Sequence, residues 1–154
     1  MNILVIGGTR FFGIHMVNEL LTADYDVTIA TRGKASDSFG DKVKRIFLER
    51  TKEESVREAL SGTHYDVVID KIAYCSNDIK YVMDVIDCDK YIYMSSTSVY
   101  NPKHINTVEA DFDGIENELI WCDRKAFPYE QIKRQAELSL IHISEPTRQA
   151  EISY

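Results

Sequence analysis

A glycine-rich turn lies near the start of the chain, between a short apolar segment and a segment with helical periodicity. Over residues 4–13 the sequence reads LVIGGTRFFG. Glycines in such a turn let backbone N–H groups approach a phosphate, and the helix that follows presents its positive end to the same group. Similar turns also cap ordinary strands, so the segment is informative only in context. Its position after a strand and before a helix favours the first βαβ unit of a dinucleotide-binding sheet.

Further apolar segments of strand length follow this turn, separated by helical patterns. A first short strand is predicted directly before the glycine turn, further strands are predicted at 26–30, 43–48, 65–70 and 90–94, and helices at 13–22, 53–60 and 76–86. Short apolar strands that alternate with helices form parallel sheets through right-handed crossovers. The predicted fold class is therefore α/β, a Rossmann-type doubly wound parallel sheet with strand order 3-2-1-4-5. Residues 101–127 lack clear periodicity and predict a loop, with a helical turn as an option at 115–121.

The composition limits the classes of protein to which the chain can belong. A net charge of -7 over 154 residues argues against a general nucleic-acid surface, so nucleic acid is not an expected partner. No run approaches eighteen apolar residues, and Met1 leads directly into the first strand. We therefore expect no membrane span, no signal peptide and a cytoplasmic location. Three cysteines without paired spacing indicate free thiols, and the spacing of the histidines predicts no metal site.

A tyrosine–lysine pair and a hydroxyl-rich strand end supply candidate chemistry. Tyr129 and Lys133 are four residues apart, which places them on one face of a helix that begins after Pro128. An ammonium beside a phenol favours the ionised phenol, so the pair can exchange a proton with a substrate oxygen. Ser96, in the segment MSSTSVY that closes the fifth strand, can hydrogen-bond that oxygen. An ordinary Tyr–Lys pair on a solvated helix is the alternative.

Taken together, these motifs over residues 1 to about 137 resemble the extended short-chain dehydrogenase/reductase superfamily, in its NAD(P)-dependent epimerase/dehydratase group. The resemblance implies an NAD(P)-binding Rossmann domain over residues 1–137. It implies Tyr129 as acid and base, Lys133 as the residue that holds the nicotinamide ribose and tunes Tyr129, and Ser96 as the group that polarises the substrate oxygen. Hydride transfer is then the work of the cofactor. The cofactor-binding residues that it implies at the turn are Gly7, Thr9, Arg10, Phe11, Phe12 and Gly13.

Two positions depart from the family pattern. Arg10 stands where the middle glycine is expected, as in an atypical branch that includes chloroplast stem-loop-binding proteins, and it puts a guanidinium beside the phosphates. The second strand ends without the acid that binds the ribose 2′-hydroxyl of NAD, and Arg32, with Lys34 or Arg10, could meet a 2′-phosphate instead. We therefore expect NADP to be slightly favoured over NAD, with a solvent-facing Arg32 as the alternative. Glu49 resembles a family acid that contacts adenine, and an ion pair with a neighbour is an equally good interpretation.

Residues 138–154 resemble the translation of a transposase-type sequencing adapter rather than the family. We expect a non-native tail there, although residues 138–143 are compatible with a prolonged helix and a native strand at 139–144 is the alternative. The chain is then the N-terminal cofactor-binding part of a longer protein, and alone it is expected to be inactive and poorly stable.

The full-length protein is expected to be an oxidoreductase, epimerase or dehydratase. Its substrate class would be a nucleotide sugar or another molecule with a carbonyl or hydroxyl group, and a homodimer is one possible assembly. The alternative function is an NAD(P)-binding regulatory or RNA-associated protein of the atypical branch that has no turnover.

Overall fold

The computed structural model describes most of the chain, namely residues 1–100, 105–112 and 118–144. The chain forms two compact units. The first contains Met1–Ala73 and Tyr81–Met94, and the second contains Tyr74–Lys80 and Ser95–Tyr154. In the described residues, no helix is long and apolar enough to cross a lipid bilayer.

Five parallel strands form the sheet of the first unit. They are β1 (Asn2–Ile6), β2 (Asp26–Thr31), β3 (Lys44–Phe47), β4 (His64–Asp70) and β5 (Asp87–Tyr93). Their order is β3-β2-β1-β4-β5, and each neighbouring pair is parallel. The predicted fold class and strand order are therefore confirmed. The order reverses between β1 and β4, and ligands of open parallel sheets bind at the carboxyl ends of the strands beside such a reversal.

Four α-helices are described: α1 (Phe12–Thr22), α2 (Glu53–Leu60), α3 (Ser76–Met83) and α4 (Tyr129–Ser144). The helix α3 ends three residues before the predicted end, because the Val82 carbonyl accepts both the Val85 and Ile86 N–H groups and closes the last turn. The strand β5 consequently begins at Asp87 rather than at Lys90.

The central strand β1 carries the deepest part of the core. Leu4 and Ile6 pack against Val56 and Leu60 of α2, whereas Val5 packs on the opposite face against residues of α1. Successive side chains of a strand point to opposite faces. A parallel strand covered on both faces must therefore be apolar at every position, which is why the sequence pattern there is a continuous run.

A buried polar cluster lies at the carboxyl end of β4 in the same unit. Asp70 is fully buried and pairs with the guanidinium of Arg50, which is 2% exposed. The Tyr91 hydroxyl donates to the same carboxylate oxygen. The other oxygen accepts the N–H groups of Ile72 and Ala73, at 3.2 and 3.1 Å. Asp70 therefore ties three segments together and shapes the chain that leaves β4.

The helix α4 is the main element described in the second unit. It packs against a short 3-10 turn at Thr97–Val99, and Arg134 Nε donates to the Val99 carbonyl at 3.0 Å. Leu138 and Ser139 are buried, and the helix continues to Ser144. Residues 138–143 thus prolong the helix as expected, and the alternative strand at 139–144 is wrong.

Two predicted segments are only partly described. In the predicted loop at 101–127, the described residues contain a 3-10 turn at Glu109–Asp111, and residues 118–121 have no regular structure. Residues 113–117 and the tail from 145 onward lie outside the described part. That residues 138–154 form a non-native tail stays a prediction.

His64, at the amino end of β4, lies among carboxylates. Its Nδ1 is 3.1 Å from an oxygen of Asp87, and its Nε2 is 3.6 Å from an oxygen of Asp89. The hydrogen bond with Asp87 raises the pKa of His64 above its ordinary value. The stabilisation that follows is fully present below the unfolded-state pKa of about 6.5 and is lost as the pH rises through the folded-state pKa.

We expect His64→Gln to flatten the fall of the unfolding free energy as the pH rises above about 6.5, because the variant lacks the imidazolium that Asp87 stabilises in the folded state. Urea unfolding at several pH values measures this dependence. His15→Gln, on an exposed position of α1, is the matched control. A His64→Gln curve with the wild-type slope would contradict the expectation.

Candidate cofactor and acid–base sites

The turn between β1 and α1 is a close-packed backbone loop. Gly7 and Gly8 are buried and have φ angles of +103° and +98°, which side chains other than glycine rarely adopt. The Gly7 N–H donates to the Ala30 carbonyl of β2 at 2.9 Å. A Cβ atom on Gly13 would lie 3.0 Å from the Cα of Gly8. The start of α1 can therefore approach the turn only because Gly13 has no side chain, and such a cradle fits a dinucleotide pyrophosphate.

The residues between the glycines project outward from this turn. Arg10 is exposed, and the exposed fractions of Phe11 and Phe12 are 82% and 50%. Phe11 has a φ angle of +52°, an uncommon conformation for a bulky residue that tends to occur at ligand sites. Thr9 is half-buried, and the first turn of α1 contains no acidic residue that would offset the helix dipole. The predicted cofactor residues thus surround a positive helix end, and their contacts with a cofactor stay a prediction.

Lys71 is a further cation at this turn, and it was not among the residues predicted from the sequence. Its Nζ lies 4.4 Å from the centroid of the Phe12 ring. Burial lowers the pKa of Lys71 below its ordinary value. The signal that could have found it is its position directly after β4, the strand that the predicted order places beside β1.

Arg32 and Glu49 lie close together, at the ends of β2 and β3. The Arg32 Nη1 is 4.0 Å from a carboxylate oxygen of Glu49, and the two side chains are 55% and 25% exposed. Thr51 also donates a hydrogen bond to Glu49, at 3.2 Å. The sequence left two interpretations of Glu49, an acid that contacts adenine and an ion pair with a neighbour. The structure shows the ion pair. An acid therefore lies beside the end of β2, in the segment that follows the neighbouring strand β3, and its contact with a cofactor stays a prediction.

We expect Arg32→Ala to weaken NADP binding by about ten- to a hundred-fold and to leave NAD binding nearly unchanged, because a charge-assisted contact with a phosphate contributes roughly 1.5–3 kcal/mol. Glu49→Gln is expected to strengthen NADP binding, since it removes a negative charge beside Arg32. Fluorescence titration with both reduced cofactors measures the affinities. Equal wild-type affinities, or an Arg32→Ala chain that loses both cofactors alike, would refute the preference.

Tyr129 and Lys133 lie one turn apart in the second unit, and both contact Tyr74. The ring centroids of Tyr74 and Tyr129 are 6.1 Å apart in an edge-to-face arrangement, and Lys133 Nζ lies 5.8 Å from the Tyr74 centroid. Lys133 is only 3% exposed, whereas Tyr129 is 46% exposed. Lysines are almost never buried to this degree unless they are paired. Lys133 therefore does not lie on a solvated helix face, and the catalytic role of the pair stays a prediction.

Tyr74 is held in place by contacts that no sequence pattern indicated. The Arg124 guanidinium lies 4.7 Å from the Tyr74 ring centroid, and Arg124 Nε donates to Asp78 at 2.9 Å. Asp78 is 2% exposed and also accepts the Tyr74 N–H at 2.8 Å. A buried carboxylate therefore fixes both the backbone of Tyr74 and the cation over its ring.

Ser96 precedes the 3-10 turn at Thr97–Val99 and caps it. Its hydroxyl oxygen accepts the Ser98 N–H at 3.2 Å, which leaves the hydroxyl hydrogen for another acceptor. Ser96 also lines a cavity of about 390 Å³ together with Tyr100 and Glu137. The turn packs against α4, which carries Tyr129 and Lys133. All three predicted acid–base residues therefore lie in the second unit.

Both the sequence and the fold of the chain match known proteins. The sequence model described as the NAD dependent epimerase/dehydratase family matches residues 3–147. The chloroplast stem-loop binding protein of 41 kDa b of Arabidopsis thaliana is 30% identical over an alignment of 112 residues, which covers 64% of this chain and 30% of that protein.

Two solved structures share the fold. An epimerase from Methanothermobacter thermautotrophicus superposes with a TM-score of 0.73 at 16% identity, over 96% of this chain and 48% of that one. Vestitone reductase from alfalfa superposes with a TM-score of 0.60 at 20% identity, over 94% of this chain and 52% of that one. The chain thus spans about half the length of these two structures and 30% of the length of the Arabidopsis protein. On the strength of the family match, the chain belongs to the NAD dependent epimerase/dehydratase family.

Proposed function

We propose that the chain is the cofactor-binding part of an NAD(P)-dependent oxidoreductase of the epimerase, dehydratase or reductase type. Its substrate would be a nucleotide sugar or another molecule with a carbonyl or hydroxyl group at the reacting carbon. The observation that carries the proposal is the buried Lys133 one helical turn from the half-exposed Tyr129. Burying an ammonium costs free energy, and a role in the site would account for that cost.

The three acid–base residues have distinct roles in the proposal. Tyr129 exchanges a proton with the substrate oxygen, and its half-exposed side chain suits that role. Lys133 holds the nicotinamide ribose and stabilises the ionised Tyr129. Ser96 donates a hydrogen bond to the same substrate oxygen. The bound cofactor supplies hydride transfer.

The first unit would hold the cofactor. The backbone of the turn at Gly7 and Gly13 approaches the pyrophosphate, and Thr9, Arg10, Phe11 and Phe12 surround it. Arg32 and Glu49 lie at the carboxyl ends of β2 and β3, where the adenosine end of a dinucleotide binds in sheets of this type. Their ion pair would set the preference between NAD and NADP.

Cofactor binding is tested on residues 1–154 as they stand. NADH and NADPH are titrated while nicotinamide fluorescence is followed, with ADP-ribose as a competitor. We expect saturable binding that ADP-ribose reverses. If neither cofactor binds to a chain that melts cooperatively, the proposal fails. Turnover is measured in a longer protein that joins this chain to the part of the family's length that it does not cover. UDP-glucose and simple carbonyl compounds are the first substrates.

An RNA-binding function is the second candidate. Its support is the name of the Arabidopsis relative, a stem-loop binding protein, together with the exposed Arg10 and Phe11 at the turn. Aromatic rings and arginines can stack on unpaired bases. A net charge of -7 opposes it. A gel-shift assay with a stem–loop RNA decides: RNA binding without hydride transfer would favour this candidate, and hydride transfer without RNA binding would exclude it.

A further inference from the structure

The side chain of Lys71 runs across the glycine turn of the first unit. A Cβ atom on Gly13 would lie 2.8 Å from the Cε of Lys71, so the end of the lysine arm passes directly over that glycine. The Lys71 ammonium then lies 4.4 Å from the centroid of the Phe12 ring. Its backbone N–H donates to the Ile6 carbonyl at 3.2 Å, which links the residue to the end of β1. Lys71 is thus anchored beside the turn at both its backbone and its side-chain end.

The charge of Lys71 is not neutralised within the described part of the chain. Among the described residues, the Lys71 side chain forms no hydrogen bond and no ion pair. The one contact of its ammonium there is the cation–π contact with the Phe12 ring. Burial lowers its pKa, and no neighbouring acid opposes that effect. An ammonium has three N–H donors, and an aromatic face does not satisfy them as an anion would. A half-buried cation of this kind is suited to an anionic ligand.

We propose that Lys71 binds the pyrophosphate of the dinucleotide and acts as an affinity-determining residue of the glycine turn. This inference rests on the proposed function, because the anion that it names belongs to the proposed cofactor. Arg10 replaces a turn glycine and projects outward, so a second cation reaching across Gly13 complements the positive end of α1. Phe12 positions the lysine arm and keeps the ammonium over the turn.

The experiment compares ligands with and without phosphates on the chain of residues 1–154. ADP-ribose carries the pyrophosphate, and adenosine carries none. We expect Lys71→Met to weaken ADP-ribose binding by about 10–100-fold, the range for losing one charge-assisted contact, and to leave adenosine binding unchanged. Lys71→Arg keeps the charge and is expected to restore most of the affinity. Lys90→Met, at an exposed position of β5, is the control for loss of one positive charge.

Salt dependence supplies a readout that a merely structural role would not change. Added salt screens a charge–charge contact, so the ADP-ribose affinity of the wild type should fall more steeply with NaCl than that of Lys71→Met. Equal wild-type and Lys71→Met affinities with equal salt slopes would overturn the inference. So would a loss of affinity for adenosine as large as that for ADP-ribose, because Lys71 would then only support the fold of the turn.

The failure of this inference is distinguishable from the failure of the proposed function. A wild-type chain that binds neither NADH, NADPH nor ADP-ribose contradicts both. A wild-type chain that binds the cofactors, with a Lys71→Met variant that binds them equally well, contradicts only the role of Lys71.

Discussion

Replacing Tyr129 by phenylalanine is expected to lower turnover by about 10²–10⁴-fold, the usual contribution of a general acid or base, and to leave cofactor affinity nearly unchanged. The change removes the hydroxyl and keeps the ring, so the edge-to-face contact with Tyr74 is retained. A loss of rate therefore reports the proton transfer rather than a collapsed site. Rates are measured as the change in reduced-cofactor absorbance with time. The enzyme is the longer protein that joins this chain to the part of the family's length that it does not cover.

Two variants make the Tyr129 result interpretable. Tyr25→Phe removes a phenolic hydroxyl from a partly buried side chain that packs against the core of the first unit, and it is expected to keep the wild-type rate. Lys133→Met is expected to reduce both turnover and cofactor affinity, because Lys133 is proposed to hold the ribose as well as to tune the phenol. A Tyr129→Phe enzyme that keeps most of its turnover, while Lys133→Met changes affinity alone, would remove Tyr129 from the mechanism.

Replacing Asp70 by alanine is expected to destabilise the first unit by about 3–5 kcal/mol, the range for breaking a buried ion pair by removing one partner. The substitution leaves the buried Arg50 charge without its carboxylate. It also removes the acceptor of the Tyr91 hydroxyl and of two backbone N–H groups. Urea unfolding of the chain measures the change in free energy. A domain of this size has a total stability of about 5–15 kcal/mol, so the loss is a large fraction of the whole.

The exposed ion pair between Asp26 and Lys44 is the matched control. Its carboxylate is 2.6 Å from the ammonium but 51% exposed, so Asp26→Ala is expected to change the unfolding free energy by less than about 1 kcal/mol. Tyr91→Phe removes only one hydrogen bond to Asp70 and is expected to cost about 1–3 kcal/mol. If Asp70→Ala does not fold, the unfolding free energy of Tyr91→Phe still tests the contribution of the cluster. If Tyr91→Phe and Asp70→Ala both change stability no more than Asp26→Ala, the buried cluster does not stabilise the unit.

The sequence by itself determined the architecture of the sheet. The central strands are largely buried and mostly apolar, so strands and crossover helices are readable from local patterns. The glycine turn was readable for a similar reason, because Gly7 and Gly8 have positive φ angles that favour glycine. The Tyr129–Lys133 pair was also readable, since residues four apart on a helix share a face.

Only the tertiary structure decided which side chains from different elements meet. Glu49 reaches Arg32 because β2 and β3 are neighbours in register. Lys71 crosses Gly13 because β4 ends beside the turn that follows β1. Arg124 reaches Tyr74 although fifty residues separate them in the chain. These contacts depend on strand register and on side-chain packing between distant segments. Neither can be predicted from the spacing of residues within one segment of the sequence.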